Sequence, residues 1–145
     1  MTEDTAKAGL EDLTTRASNG DSKAQFQLAS MYEKGEGVKQ NVRTAADLYR
    51  QAAEVGHVEA IMIFAKLLLL GKGVMQDPEE AVDWYRKAAD HGNAEAQYNL
   101  GEMYRNGRVV KVDKDAATTW FKLAAEQNHL EAQVRLEQLK AGDDN

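Results

Sequence analysis

The groups that could ligate a metal or carry a proton are His57, His91 and His129, together with 24 acidic side chains, in a chain of 145 residues. All three histidines fall in short turns between helical stretches. His57 and His129 share one register, 72 residues apart, a spacing that does not gather ligands around one ion. They read as solvated turn residues, and no metal site is expected. The carboxylates are interleaved with bases, as in Asp83, Arg86, Lys87 and Asp90. That pattern is a solvated helix face and not an acid–base pair. Gly35-Glu36-Gly37 and Gly71-Lys72-Gly73 superficially resemble phosphate loops. They follow helices, no G-x-x-x-x-G-K-[ST] is present, and they read as helix terminators. The serines are Ser18, Ser22 and Ser30, and none begins Ser-x-x-Lys, so a β-lactamase type of nucleophile has no support. Cysteine is absent, which excludes disulfide scaffolds, thiolate zinc sites, iron–sulfur clusters and cysteine nucleophiles. No catalytic residue and no cofactor is expected.

Composition narrows the partner class. Eighteen bases against 24 acids leave a net charge of −6, opposite to the balance of most nucleic-acid-binding domains. No basic stripe with interleaved aromatics offsets it, so no nucleic-acid partner is expected. The longest apolar stretch, Ala60 to Leu70, is interrupted by Lys66 and falls well short of the roughly 20 residues that span a bilayer. The start Met1-Thr2-Glu3-Asp4 is acidic and no apolar segment follows it. A cytoplasmic protein with no membrane partner is expected; a periplasmic or secreted one would require a leader already removed.

The elements behind these residues follow from a repeat. Ala24, Ala60, Ala96 and Ala132 are spaced by 36 residues, as are Leu28, Phe64, Leu100 and Leu136. Tyr49, Tyr85 and Phe121 keep the step, and so do Gly35, Gly71 and Gly107. A fixed period of this size marks a solenoid whose units bury their apolar faces against one another. Each unit predicts two helices. In the first, Ala96, Leu100, Met103 and Tyr104 form one helical face, and Gly107 ends it. The second starts at Asn41, Asp77 or Asp113 as N-cap, with Pro78 at the first helical position. Ala81, Trp84, Tyr85, Ala88 and Ala89 form its buried stripe. Gly20, Gly56 and Gly92 close it, with Asn128 as the substitute in the last unit.

The third unit reads Ala96-Gln97-Tyr98-Asn99-Leu100-Gly101-Glu102-Met103-Tyr104, then Gly107, Val110, Asp113, Ala117, Trp120, Phe121, Ala124, Ala125 and Ala132. This resembles the Sel1-like repeat, a 36-residue relative of the tetratricopeptide repeat, over roughly residues 13–141. The departures are Leu68 for the usual tyrosine, Ala29 and Ala65 for glycine, and Val109 for the second loop glycine. The resemblance implies an all-α fold, an α/α solenoid superhelix whose first helices line a concave groove. It also implies an adaptor or scaffold that binds other proteins.

The expected organisation is one domain. A capping helix spans about 5–19, repeats span about 21–56, 57–92 and 93–128, and a second capping helix spans about 130–141. Asp12 and Arg16 stand at the registers of Leu48 and Ala52, while Glu137 and Lys140 stand at those of Gly101 and Tyr104. Charges at four core registers are expected only where no further helix packs, so both ends read as caps of a complete array. The tail from Gly142 to Asn145 is expected to be loose.

Positions where one unit departs from the others are where function can reside. Ile61, Ile63, Leu69 and Leu70 replace polar or charged residues of the neighbouring units. On a helical wheel Met62, Lys66 and Leu69 point away from Phe64, with Ile63 and Leu70 on one flank. The expected anchors are therefore Met62, Ile63, Leu69 and Leu70 around Lys66. Burying four such side chains gives about 6–12 kcal/mol, against about 4–15 kcal/mol for association and ordering. Polar neighbours must then orient the guest. By register these are Gln27, Ser30, Asn99, Glu102, Arg105 and Arg135, with Phe26 and Tyr98 as an aromatic floor. Because Phe26, Met62, Tyr98 and Val134 are apolar in every unit, that row also suits packing between first helices. The predicted function is a non-enzymatic interaction module holding a protein or peptide partner. Two alternatives stand beside it: a bacterial immunity or inhibitor protein that occludes a toxin, and a self-assembling structural protein, with a homodimer left open.

Overall fold

Each predicted helix–turn–helix forms in the computed structural model, which describes residues 2–142. The helices are α1 (Glu3–Ser18), α2 (Ser22–Lys34), α3 (Val42–Glu54), α4 (Val58–Leu70), α5 (Pro78–Asp90), α6 (Ala94–Asn106), α7 (Lys114–Glu126) and α8 (Leu130–Ala141). No strand occurs among the described residues. Of the tail expected to be loose, residues 143–145 lie outside them.

The repeat sets the local geometry. Asp21, His57, Asn93 and His129 hold one register, and each accepts a backbone N–H of the first turn of α2, α4, α6 or α8. Asn41 and Asp113 cap α3 and α7 in the same way. Gly35, Gly71 and Gly107 end α2, α4 and α6 in the left-handed conformation. The turn after each second helix also needs a positive φ. Gly20, Gly56 and Gly92 supply it, and in the last unit Asn128 does so at φ 65°, the one non-glycine residue of this kind among those described. Asparagine tolerates that region better than most residues. Val109 is not in it, so the third loop departs from the double-glycine form of the first two. Asn41, Asp77 and Asp113 donate their N–H groups back to the carbonyls of Tyr32, Leu68 and Tyr104, each at 2.9 Å.

The chain divides into two compact units, Met1–Asp77 and Pro78–Asn145. In the first, α1 packs on α2, α2 on α3 and α3 on α4. Its core includes Leu13, Ala17, Leu28, Tyr49, Phe64 and Leu68. In the second, α5 packs on α6, α6 on α7 and α7 on α8. Ala81, Trp84, Tyr85, Ala88, Ala89, Leu100 and Phe121 are buried there, as is Val82. Helices α6 and α7 approach closely at Gly101. A Cβ there would lie 2.5 Å from the Phe121 ring.

Glutamines at one register tie successive hairpins together. Gln25 Nε2 donates to the carbonyl of Ala17 at 3.1 Å, and Gln97 Nε2 to that of Ala89 at 3.2 Å. Both are buried. Ile61, at the same register, is 3% exposed. Its departure from glutamine is thus a core substitution and presents nothing to a partner.

Asp12, Arg16, Glu137 and Lys140, the charges at core registers, are all exposed. Trp120 is half-buried, although its counterparts Trp84 and Leu48 are buried.

Candidate functional site

In the first unit the expected anchors lie along α4. Leu70 is 61% exposed, Lys66 is exposed, and Met62, Ile63 and Leu69 are half-buried. The face survives because inward positions take the other apolar residues, Ile61, Phe64, Leu67 and Leu68, all 5% exposed or less. Of the α2 residues expected beside it, Gln27 is exposed and Ser30 and Phe26 are half-buried.

Phe26 is engaged inside its own unit. The His57 imidazole stacks on it at 4.8 Å with an interplanar angle of 19°, and Tyr49 meets it edge-on at 5.6 Å. The second unit repeats the arrangement. His129 stacks on Tyr98 at 4.7 Å, and Phe121 lies 5.8 Å from Tyr98. The two expected floor residues thus each have a face covered by an imidazole of their own unit. The histidines are correspondingly not free turn residues. Nδ1 of His57 accepts from the Ala60 N–H, and Nδ1 of His129 from the Ala132 N–H, both at 3.3 Å. In that tautomer Nε2 carries the proton, and Nε2 of His129 donates to Glu95 at 2.8 Å. His91 alone is exposed, with Nδ1 2.7 Å from the Lys87 carbonyl oxygen. Sequence reasoning missed both caps, although Asp21 and Asn93 at the same register gave the signal.

In the second unit the polar candidates form a cluster. Glu102 receives Arg105 Nε at 3.1 Å and Arg135 Nε at 2.8 Å. Arg135 also donates to Gln138 at 2.8 Å. Glu102 and Arg105 are about one-fifth exposed and Arg135 about one-third. Glu102 bridges the two guanidiniums in a partly desolvated cluster that spans α6 and α8, where charge-assisted bonds gain strength. Asn99 is half-buried on α6. Elsewhere, Tyr49 donates to Glu33 at 2.7 Å. Burial, then that carboxylate, pushes its hydroxyl pKa far above the usual tyrosine value. Burial, then Glu95, pushes Tyr85 up to about 12. Among the described residues no group of three or more histidines and carboxylates is placed to hold a metal. No helix among them is long and apolar enough to cross a membrane.

Comparison with known proteins places this architecture. The Sel1 repeat model matches residues 22–57, 59–93 and 94–129. A Sel1 repeat protein from Oxalobacter formigenes is 37% identical with a TM-score of 0.82; the match covers 90% of this chain and 98% of that one. A protective antigen of uropathogenic Escherichia coli strains, with an SLR fold, is 43% identical with a TM-score of 0.80 over 86% of this chain. That match spans only 27% of the antigen's length. Cysteine rich protein B of Helicobacter pylori is 26% identical with a TM-score of 0.57, covering 60% of this chain and 65% of that one. No curated protein matches the sequence. With three matched repeats over most of its length, folded as α/α hairpins, the chain belongs to the Sel1 repeat family.

Proposed function

We propose that this chain is a non-enzymatic interaction module that binds a polypeptide partner through the outward faces of its first helices. Sel1 repeat proteins typically mediate protein–protein interaction, and this reading locates the contact. The observation that carries it is the α4 face. Leu70 is 61% exposed, with Ile63 and Leu69 half-buried and Lys66 exposed beside it, on a helix where the neighbouring repeats carry polar side chains. An apolar strip around one cation suits a segment that offers apolar side chains and a carboxylate. In the second unit the Glu102–Arg105–Arg135 cluster is suited to orient an acidic group by charge-assisted hydrogen bonds. Gln27, Ser30 and Asn99 supply further polar contacts, while Phe26, Met62 and Tyr98 contribute their uncovered edges.

The test compares wild type with Leu70→Glu and Leu69→Glu in crosslinking capture from native lysate, alongside thermal melting. Loss of the same captured band in both variants, with the melting temperature within about 2 °C of wild type, supports this surface. Unchanged capture, or a large loss of stability in both variants, would falsify it. Leu70→Glu is the cleaner probe because Leu69 is half-buried.

A further inference from the structure

A second surface, independent of the α4 face, lies where α1 and α2 diverge. These helices leave a groove of about 600 Å³ whose walls include Leu10, Leu13, Met31, Gln27, Lys7 and Arg16. Its floor is unusually open for its register. Ala45, Ala81 and Ala117 are each 1% exposed or less, because the first helix of their own hairpin covers them. Gly9 holds that register on α1, is exposed, and a Cβ there would meet nothing within 4 Å. α1 is thus a second-type helix without its first-type partner among the described residues.

α8 is the converse, a first-type helix without a second-type partner among the described residues. Its outward stripe is apolar, with Leu130 70% and Val134 55% exposed. We propose that α8 of one copy seats in the α1–α2 groove of another, completing a hairpin between two molecules. The template for the fit is the way α6 meets α7 and α8 within the second unit. Tyr98 lies against Phe121 and His129, Gly101 against Phe121, and Glu102 bonds Arg135. Advancing each pair by one repeat puts Val134 of one copy near Leu13 and Asp21 of the next. The same step sets Gln138 opposite Gln27, where two amides can pair in place of the ion pair.

The charges at core registers agree with this occupant. The registers of Lys140 and Asp12 are those of Tyr32 and Leu48, which line one cleft between α2 and α3. Across two copies they are opposite in sign. Glu137 takes the register of Gly101 and enters the groove beside Leu13, where Arg16 lines the wall. Within a single chain Arg16 pairs with Asp12 at 3.1 Å and Lys140 with Glu137 at 3.4 Å on solvated faces; seating α8 on α1 exchanges these for Lys140–Asp12 and Glu137–Arg16 pairs between copies. The contact is heterologous, so it propagates head to tail instead of closing a two-fold dimer.

Sedimentation equilibrium of the full chain from 1 µM to 1 mM tests it. The expected result is an average mass that climbs from 16.1 kDa without a plateau at the dimer. Val134→Asp and Leu10→Asp each block one end, and each alone should weaken association at least tenfold. Mixed in equal amounts, they should form a one-to-one dimer and nothing larger, since one intact end of each remains. Lys140→Glu should weaken assembly, and Asp12→Lys added to it should restore it. The Gln27→Cys/Gln138→Cys variant should give an oxidised ladder of dimers and longer chains. A mass of 16.1 kDa at every concentration, a closed dimer unaffected by Leu10→Asp, or an oxidised monomer with an internal disulfide overturns the proposal. Failure here leaves the α4 anchors Ile63, Leu69 and Leu70 standing, because none of these variants alters a residue of α4 and only the cysteine pair touches residues near the proposed polar contacts.

Discussion

Gln25 carries a local imperfection that its counterpart lacks. Its Nε2 reaches the Ala17 carbonyl, but its buried Oε1 has no hydrogen-bond partner. In the second unit the equivalent Gln97 Oε1 accepts from Gln127 at 2.9 Å. The register of Gln127 is held in the first unit by Val55, which is 67% exposed and therefore contributes little burial. The backbones match, at φ −96°, ψ 10° for Val55 and φ −95°, ψ 16° for Gln127. Val55→Gln should supply the missing donor without strain. A satisfied buried acceptor is worth about 1 kcal/mol, and thermal melting should rise by about 2–4 °C. Gly101→Ala should act in the opposite direction. Alanine improves helix propensity by about 1 kcal/mol, yet its Cβ would press on the Phe121 ring. Phe121 is fully buried and has little room to withdraw. Overpacking of this kind costs about 1–3 kcal/mol, so the net effect should be a lower denaturation midpoint in urea.

At the scale of the element, two of the four first-type helices start on a histidine that also stacks on an aromatic ring. His129→Ala removes a cap worth about 1 kcal/mol and a stack worth about 0.5–1.5 kcal/mol. His129→Asn restores the cap chemistry that Asn93 already provides at α6, but not the ring over Tyr98. Chemical denaturation should therefore rank wild type above His129→Asn and His129→Ala lowest; equal values for the two variants would show that the cap contributes nothing. This double use explains where the sequence was legible and where it was not. The helices, their glycine ends and the Asn128 substitute follow from spacing alone, because each depends on local backbone geometry that repeats every 36 residues. The histidine caps were obscured because imidazole is an uncommon N-cap, and only its register beside Asp21 and Asn93 betrays the role. Ile61 and Ile63 are two residues apart on one helix and both break the repeat pattern. One is core and the other half-exposed, and only packing against neighbouring helices separates them. For Phe26 and Tyr98, apolar character in every repeat fitted either a guest or a neighbour, and the imidazoles occupy one face of each.

At the scale of the whole molecule, each unit buries one tyrosine whose ionisation the fold opposes. Tyr49 is 1% and Tyr85 4% exposed. Burial is the main cause of both raised pKa values, with Glu33 adding to the first and Glu95 to the second. An unfolded tyrosine ionises near pH 10, while Tyr85 in the fold does so at about 12. Below pH 10 both states are protonated and the full stability is present. Between pH 10 and 12 the unfolded chain loses protons that the folded chain retains, so stability falls as pH rises. The expected outcome is a urea midpoint that is flat from pH 8 to 9.5 and drops steeply above 10. Absorbance near 295 nm should show two of the five tyrosines ionising only as the helical signal is lost. Tyr85→Phe removes one ionising group without removing its ring, and should make the alkaline decline shallower. Glu95→Gln should shift the same transition less, since burial outweighs the carboxylate. A wild-type midpoint unchanged between pH 9.5 and 11.5 would contradict the assignment, because it requires both hydroxyls to reach solvent without unfolding.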